Sequence, residues 1–117
     1  MWTGGIGSMA LKYARFSLHW VNLDPTIGSE INKRRPCVIV SPDEMNGHLN
    51  TVIIAPLTST HKPWPTRIAT HVLGKDGQIA LDQIRTISTQ RLMQPMGMLD
   101  DVAQRQCLDV LADMFAA

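Results

Sequence analysis

Lys33, Arg34 and Arg35 stand in one unbroken run, with Pro36 directly behind them and LDPTIGSEIN directly ahead. Charge runs commonly serve as soluble surface. This one ends on an arginine whose backbone is braced by a proline at the mouth of an apolar run, PCVIV. A guanidinium held in that way suits a phosphate, because its planar fork offers paired donors to two oxygens. A second polar group, Thr58 in PLTST, closes the next apolar run, and it approaches Arg35 if the two runs pair as strands; a lone threonine is also an ordinary strand former. A third segment, HKPWPTR, interleaves His61, Lys62 and Arg67 with Trp64. Cations around an aromatic ring are what unpaired RNA requires, the cations for phosphates and the ring for stacking a base. Trp64 serves equally well as a plug for the base of its own loop.

Other chemistries find less support. His19, His48, His61 and His71 are scattered over separate segments, with no short ligand spacing, so no metal and no cofactor is expected. There is no GxSxG elbow, and GGIG at positions 4 to 7 neither follows a strand nor opens a helix. The two cysteines, Cys37 and Cys107, have no CxxC spacing and read as free thiols of a reducing compartment. No apolar run reaches membrane-span length, and the opening MWTGGIGSMALKYAR lacks signal-peptide order, so a cytoplasmic protein with no membrane partner is expected.

Those residues need elements to position them. With 117 residues the chain fits one domain. Residues 1–10 are expected to be a disordered extension and 11–117 the folded domain. RFSLHWVNL (15–23) alternates like a strand; PCVIVSP (36–42) is a buried strand between prolines; DEMNGH is a turn or single helical turn. NTVIIAPLTST (50–60) and 66–73 are further strands, and 78–89 supplies one long or two short ones. Gly74-Lys75-Asp76-Gly77 is expected to form the hairpin turn, through its Asp-Gly pair. After residue 100 Asp100 or Asp101 caps a helix whose broad apolar stripe carries Ala103, Cys107, Val110 and Met114 beside Leu108, Leu111 and Phe115. The fold class is mainly β with a C-terminal helix, as a strongly bent sheet or small barrel. The formal charge of +1 hides a division: residues 1–99 hold ten Lys/Arg against six Asp/Glu (+4), and 100–117 hold one against four (−3). A polyanion-binding face on the first part is compatible with that balance.

In order and spacing, LHWVNLDPTIGSE, KRRPCVIVSPDEMN, VIIAPLTST and LDQIRTISTQRL resemble the successive blocks of the MazF/PemK family of bacterial toxins, from about residue 14 to residue 115. The resemblance implies an SH3-like small barrel of the MazF/PemK/CcdB type, a homodimer, and a metal-independent endoribonuclease that cuts single-stranded RNA, messages above all, to 2′,3′-cyclic phosphate and 5′-hydroxyl ends. It implies a cognate antitoxin with an acidic tail. Carried over residue by residue, it marks Arg35, Thr58 and Asp82 as catalytic. Glu30, Lys33, Arg34, Ser59, His61, Lys62, Trp64, Gln83 and Arg85 fall in the RNA-binding surface, with Asp82 or Glu30 as hypotheses for the general base. The match departs from PemK-type members at Ser29 and Ala80, where those carry histidine and arginine, and the family's opening RGD is Arg15-Phe16-Ser17 here. Two rival functions keep the fold without the cleavage: a CcdB-like inhibitor that binds DNA gyrase, and an RNA-binding module that does not cut.

Overall fold

The computed structural model describes residues 13–117; the expected disordered extension, residues 1–10, lies outside the described residues. Seven strands and a long C-terminal helix form a curled antiparallel sheet, a half-barrel closed on one side by the helix. The strands are β1 (Ser17–Asn22), β2 (Arg34–Ile39), β3 (Thr51–Thr58), β4 (Arg67–Val72), β5 (Lys75–Ala80), β6 (Arg85–Ser88) and β7 (Leu92–Met98). The helices are the single turn α1 (Asp43–Asn46) and α2 (Asp101–Phe115), and short 3-10 turns cover Leu81–Gln83 and Thr89–Arg91.

The strand order is β4-β5-β3-β2-β1-β7, and β6 also pairs with β3. β3 is the pivot. Its first half, Thr51 to Ile54, pairs with β6, whereas Leu57 and Thr58 pair with β5. One strand serving two partners in succession makes the sheet bend there, and the bend is where Thr58 sits.

The apolar runs are continuous because both faces of β1, β2 and β3 are covered. Leu18, Val38, Val40, Ala55, Leu57 and Ile79 pack with Ala103 and Cys107 of α2 on one face. Val21, Leu23, Cys37, Ile39, Val52, Ile54 and Ile87 form a second cluster on the other. The side-chain Oδ1 of Asp100 accepts from the Ala103 N–H at 2.8 Å and caps α2, and Asp101 follows as the acidic residue of its first turn. Burial pushes the Cys37 thiol up to about 12 and the Cys107 thiol up to about 11, so both stay protonated at neutral pH.

Two expectations are corrected, and one strand, β7, was not expected at all. The β4–β5 turn is Leu73-Gly74, with φ of 52° and 74°, because Val72 pairs with Lys75. Asp76 and Gly77 are strand residues, and Gly77 is required for a different reason: a Cβ there would stand 2.8 Å from the Thr58 carbonyl oxygen. β2 begins at Arg34, so Arg34 and Arg35 belong to a strand rather than to the loop before it. β7 carried no strand signal, since Pro95 and Gly97 argue against one; it is an edge strand that pairs with β1 through shifted register. Phe16 adopts φ 68°, the left-handed region that favours glycine. Its buried ring anchors the first cluster and offsets that strain.

Candidate functional site

β2 and β3 run antiparallel with Cys37 opposite Pro56 and Val38 opposite Ala55. Two residues further along that register, Arg35 comes opposite Thr58. Side chains alternate along strands, so both belong to the face that carries Cys37 and Pro56. The Arg35 Nε donates to the Asn32 carbonyl at 2.7 Å, which fixes the fork; its terminal NH2 groups have no protein partner among the described residues. Thr58 is buried, and its Oγ1 accepts from the Thr60 N–H at 3.2 Å. That bond occupies a lone pair and leaves the hydroxyl proton as a donor. Arg35 and Thr58 both line a hollow of about 480 Å³, together with Lys33, Arg34 and Ser59.

A second hollow, about 260 Å³, opens beside Pro56 and gathers Glu30, Asp82, Gln83 and Arg85. Arg35 and Arg85 both lie close enough to Cys37 to draw its thiol downward, against the larger effect of burial. The rim that holds Arg35 and Thr58 thus stands between two hollows.

The segment ahead of Arg35 is tied down from several sides. Asp24 Oδ1 accepts from the Lys33 N–H at 3.1 Å, and Glu30 Oε1 from the Ile27 N–H at 2.6 Å. Gln83 Oε1 accepts from the Ile31 N–H at 3.1 Å, and Arg85 donates to the Leu23 carbonyl at 3.0 Å. Arg91 donates to the carbonyls of Asn22 and Asp24 at 3.2 and 2.9 Å. Lys33 itself sits at φ 68°, a conformation that needs such support. Glu30, Gln83 and Arg85 therefore shape the basic segment as well as lining the second hollow.

Asp82 is committed elsewhere. Its Oδ1 accepts from Arg67 Nε at 2.7 Å and from the Thr66 hydroxyl at 2.9 Å, and its Oδ2 from Arg67 Nη2 at 3.1 Å. The Arg67 bond, with the Thr66 bond after it, holds the Asp82 carboxyl below the ordinary carboxylate range. A carboxylate so engaged is a poor proton acceptor. The Arg67 side chain is only 6% exposed, and its guanidinium lies 4.7 Å from the centre of the Trp64 ring. Lys62 Nζ is 5.5 Å from the same ring. Trp64, 45% exposed, is neither a buried plug nor a free arm: cations hold it in place. Gln78 clamps the loop by accepting from the Lys62 N–H at 3.0 Å and donating to its carbonyl at 3.1 Å.

The structure thus divides the expected residues into three groups. Lys33, Arg34, Arg35, Thr58 and Ser59 gather at the first hollow; Glu30, Asp82, Gln83 and Arg85 at the second; His61, Lys62 and Trp64 lie on the loop beyond β3. Sequence reasoning missed Trp20, Lys75 and Asp76, which also line the first hollow, and Arg91. Lys75 and Asp76 were hidden because their Asp-Gly pair reads as a turn. No group of three His, Cys, Asp or Glu among the described residues is placed to hold a metal, and no described helix is long and apolar enough to cross a membrane.

Comparison with known proteins gives a consistent result. Residues 14–115 match the family described as PemK-like, MazF-like toxin of type II toxin–antitoxin system. The chain is 37% identical over 87 residues to the endoribonuclease MazF9 of Mycobacterium tuberculosis, covering 66% of this chain and 74% of that protein. Among solved structures it resembles MazF from Deinococcus radiodurans, at a TM-score of 0.77 and 24% identity over 89% of this chain and 96% of that one. It also resembles an endoribonuclease in complex with its cognate antitoxin from a mycobacterial species, at a TM-score of 0.73 and 23% identity over 86% and 91%.

Proposed function

The chain belongs to the family of PemK-like, MazF-like toxins of type II toxin–antitoxin systems, and from that premise we propose that it is a toxin endoribonuclease that cuts single-stranded RNA without metal. The observation that carries this reading is the meeting of Arg35 and Thr58 across adjoining strand ends, with an open guanidinium and a free hydroxyl proton on one rim. The substrate supplies its own nucleophile. The ribose 2′-oxygen attacks the adjacent phosphorus and loses its proton; the bond from phosphorus to the 5′-oxygen breaks, and that oxygen takes up a proton. The products are a 2′,3′-cyclic phosphate and a 5′-hydroxyl.

The protein's task is to align the attack and to neutralise charge that grows on the non-bridging oxygens. Arg35 offers two parallel donors to those oxygens, and Thr58 a third from its hydroxyl. Arg35 is a weak candidate for the base, since a guanidinium stays protonated far above neutral pH. Asp82 is better suited to holding Arg67 than to taking a proton, because both of its carboxylate oxygens already accept hydrogen bonds, from Arg67 and Thr66. Lys33, Arg34, Ser59, His61, Lys62, Trp64, Gln83 and Arg85 would guide the flanking strand, with messenger RNA in the cytoplasm as the target. A homodimer belongs to the same reading, and the apolar surface that β7 and α2 leave open, with Met98 at 56%, Val102 at 69% and Phe115 at 72% exposed, is material for one. An antitoxin with an acidic tail would meet the same cations as RNA does.

The test is direct. Purified protein is incubated with mixed-sequence single-stranded RNA in EDTA and the product ends are identified. Cyclic-phosphate ends that vanish with Arg35→Ala are expected; RNA that is shifted but intact points to a binding module, and intact unbound RNA to a protein-directed inhibitor.

A further inference from the structure

Arg35 is aimed by a carbonyl three residues behind it, and that carbonyl is aimed in turn by a carboxylate. The Arg35 Nε donates to the Asn32 carbonyl at 2.7 Å. With Nε engaged along one edge, the guanidinium keeps its terminal pair, Nη1 and Nη2, to present end-on to a phosphate. The place of the Asn32 carbonyl therefore fixes which donors meet the substrate. That carbonyl shares one planar peptide unit with the Lys33 N–H, which points the opposite way. The Lys33 N–H donates to Asp24 Oδ1 at 3.1 Å. A single rigid plane is thus held by Asp24 at its N–H end and holds Arg35 at its C=O end.

The plane needs such a restraint. Lys33 sits at φ 68°, where a side chain with a Cβ crowds the backbone. Released, Lys33 would relax towards negative φ, and that rotation turns the Asn32–Lys33 peptide and draws its carbonyl off the Arg35 Nε. The Lys33 carbonyl accepts from the Leu23 N–H at 3.0 Å. Backbone therefore secures the plane after Lys33, whereas the plane before it depends, among the described residues, on Asp24. Asp24 is itself fixed on both sides: its N–H donates to Asn22 Oδ1 at 3.1 Å, and its carbonyl accepts from Arg91 Nη1 at 2.9 Å. Gln83 holds the Ile31 N–H and Arg85 the Leu23 carbonyl, so neither bonds to the Asn32–Lys33 peptide.

We propose that Asp24 is the positioning residue for Arg35: it locks the Asn32–Lys33 peptide, and through it turns the terminal nitrogens of the guanidinium towards the phosphate. The consequence for cleavage rests on the nuclease reading above; the orientation of the side chain does not. Asp24 has to supply an acceptor and not a charge, because the Lys33 N–H is a neutral donor. Asp24→Asn keeps that acceptor and Asp24→Ala removes it.

The test follows the Arg35 Nε–H by NMR and cleavage by steady-state kinetics, in the wild type, Asp24→Asn and Asp24→Ala. Arg35→Lys identifies the signal by deleting it. In the wild type the Arg35 Nε–H and the Lys33 amide should both be protected from solvent exchange, a readout that needs no variant to fold. Asp24→Ala should lose both protections and lower kcat about ten- to a hundredfold, the effect of misplacing a catalytic group by about an ångström, with KM nearly unchanged. Asp24→Asn should retain the signals and most of kcat. In an Arg35→Ala background Asp24→Ala should cost nothing further, because the two act through one group. A rapidly exchanging Arg35 Nε–H in the wild type, an unchanged signal in Asp24→Ala, a loss in Asp24→Asn equal to that in Asp24→Ala, or a full further loss on top of Arg35→Ala overturns the assignment. If the wild type cuts nothing while the signals behave as expected, the nuclease reading fails and the positioning of Arg35 stands.

Discussion

Arg35 and Arg67 are both strand arginines set beside a loop, yet the molecule treats them in opposite ways. Arg67 is enclosed: two bonds reach Asp82, the Trp64 ring lies against its plane, and 6% of its side chain meets solvent. Among the described residues, Arg35 has one carbonyl partner and no carboxylate. A guanidinium closed by a carboxylate is a structural tie, since an anion from outside would have to displace the internal one. A guanidinium fixed only through a neutral carbonyl keeps its orientation and its full charge for a phosphate. The difference leaves the Arg35 guanidinium open to an anion from outside and ties Arg67 into the scaffold.

That contrast is most sharply tested by removing each group and asking which property falls. Arg35→Ala should lower kcat for RNA cleavage by about 10²- to 10³-fold, the usual loss when one preorganised donor to a developing anion is removed, with a melting temperature close to that of the wild type. Should Arg67→Ala abolish cleavage equally in a protein that still melts normally, the division between site and scaffold is wrong. Thr58→Val should cost about ten- to a hundredfold in kcat, and Thr58→Ser should recover most of it, because only the hydroxyl donor is at issue.

The scaffold should fail in stability instead. Asp82→Asn leaves Arg67 buried beside a neutral amide, and urea denaturation should show a loss of about 1–3 kcal/mol, below the cost of a fully buried pair because Asp82 is 25% exposed. A pH series sharpens the assignment. The folded-state pKa of Asp82 is lowered, chiefly by its hydrogen bond to Arg67. Its contribution is therefore complete above the ordinary carboxylate range and is lost as pH falls through the lowered value, and Asp82→Asn should flatten that acid limb. The smallest effect is expected at the turn beside the first hollow. Leu73 holds φ 52° in a two-residue hairpin turn where asparagine is favoured, so Leu73→Asn should stabilise by about 0.5 kcal/mol.

Much of this arrangement is legible in the sequence alone. The alternation of β1, the apolar runs of β2 and β3, and the cap and stripe of α2 all follow from local periodicity, because one covered face or stripe imposes its period on the residues that fill it. The threonine and arginine at the ends of adjoining runs were legible for the same reason: if the runs pair, their ends meet. β7 was not legible. Its pairing with β1 is supplied from the far end of the chain, and its Pro95 and Gly97 fit only because an edge strand leaves half its backbone groups unpaired.

Alone, the sequence determined most of the strand-forming segments, though not β7, together with the capped helix, the absence of any metal-ligand spacing, and the positions of the chemical groups. Tertiary structure decided which groups remain available. Asp82 and Arg35 both looked reactive in the linear chain; whether each keeps its capacity depends on what stands opposite, and Arg67 is fifteen positions away from Asp82 while the Asn32 carbonyl is three from Arg35. Gly77 looked like a turn glycine and is instead the gap through which β5 reaches the Thr58 carbonyl. Periodicity is a property of neighbours along the chain and can be read there; the use of a hydrogen-bonding group is fixed by neighbours in space, which only the folded sheet brings together.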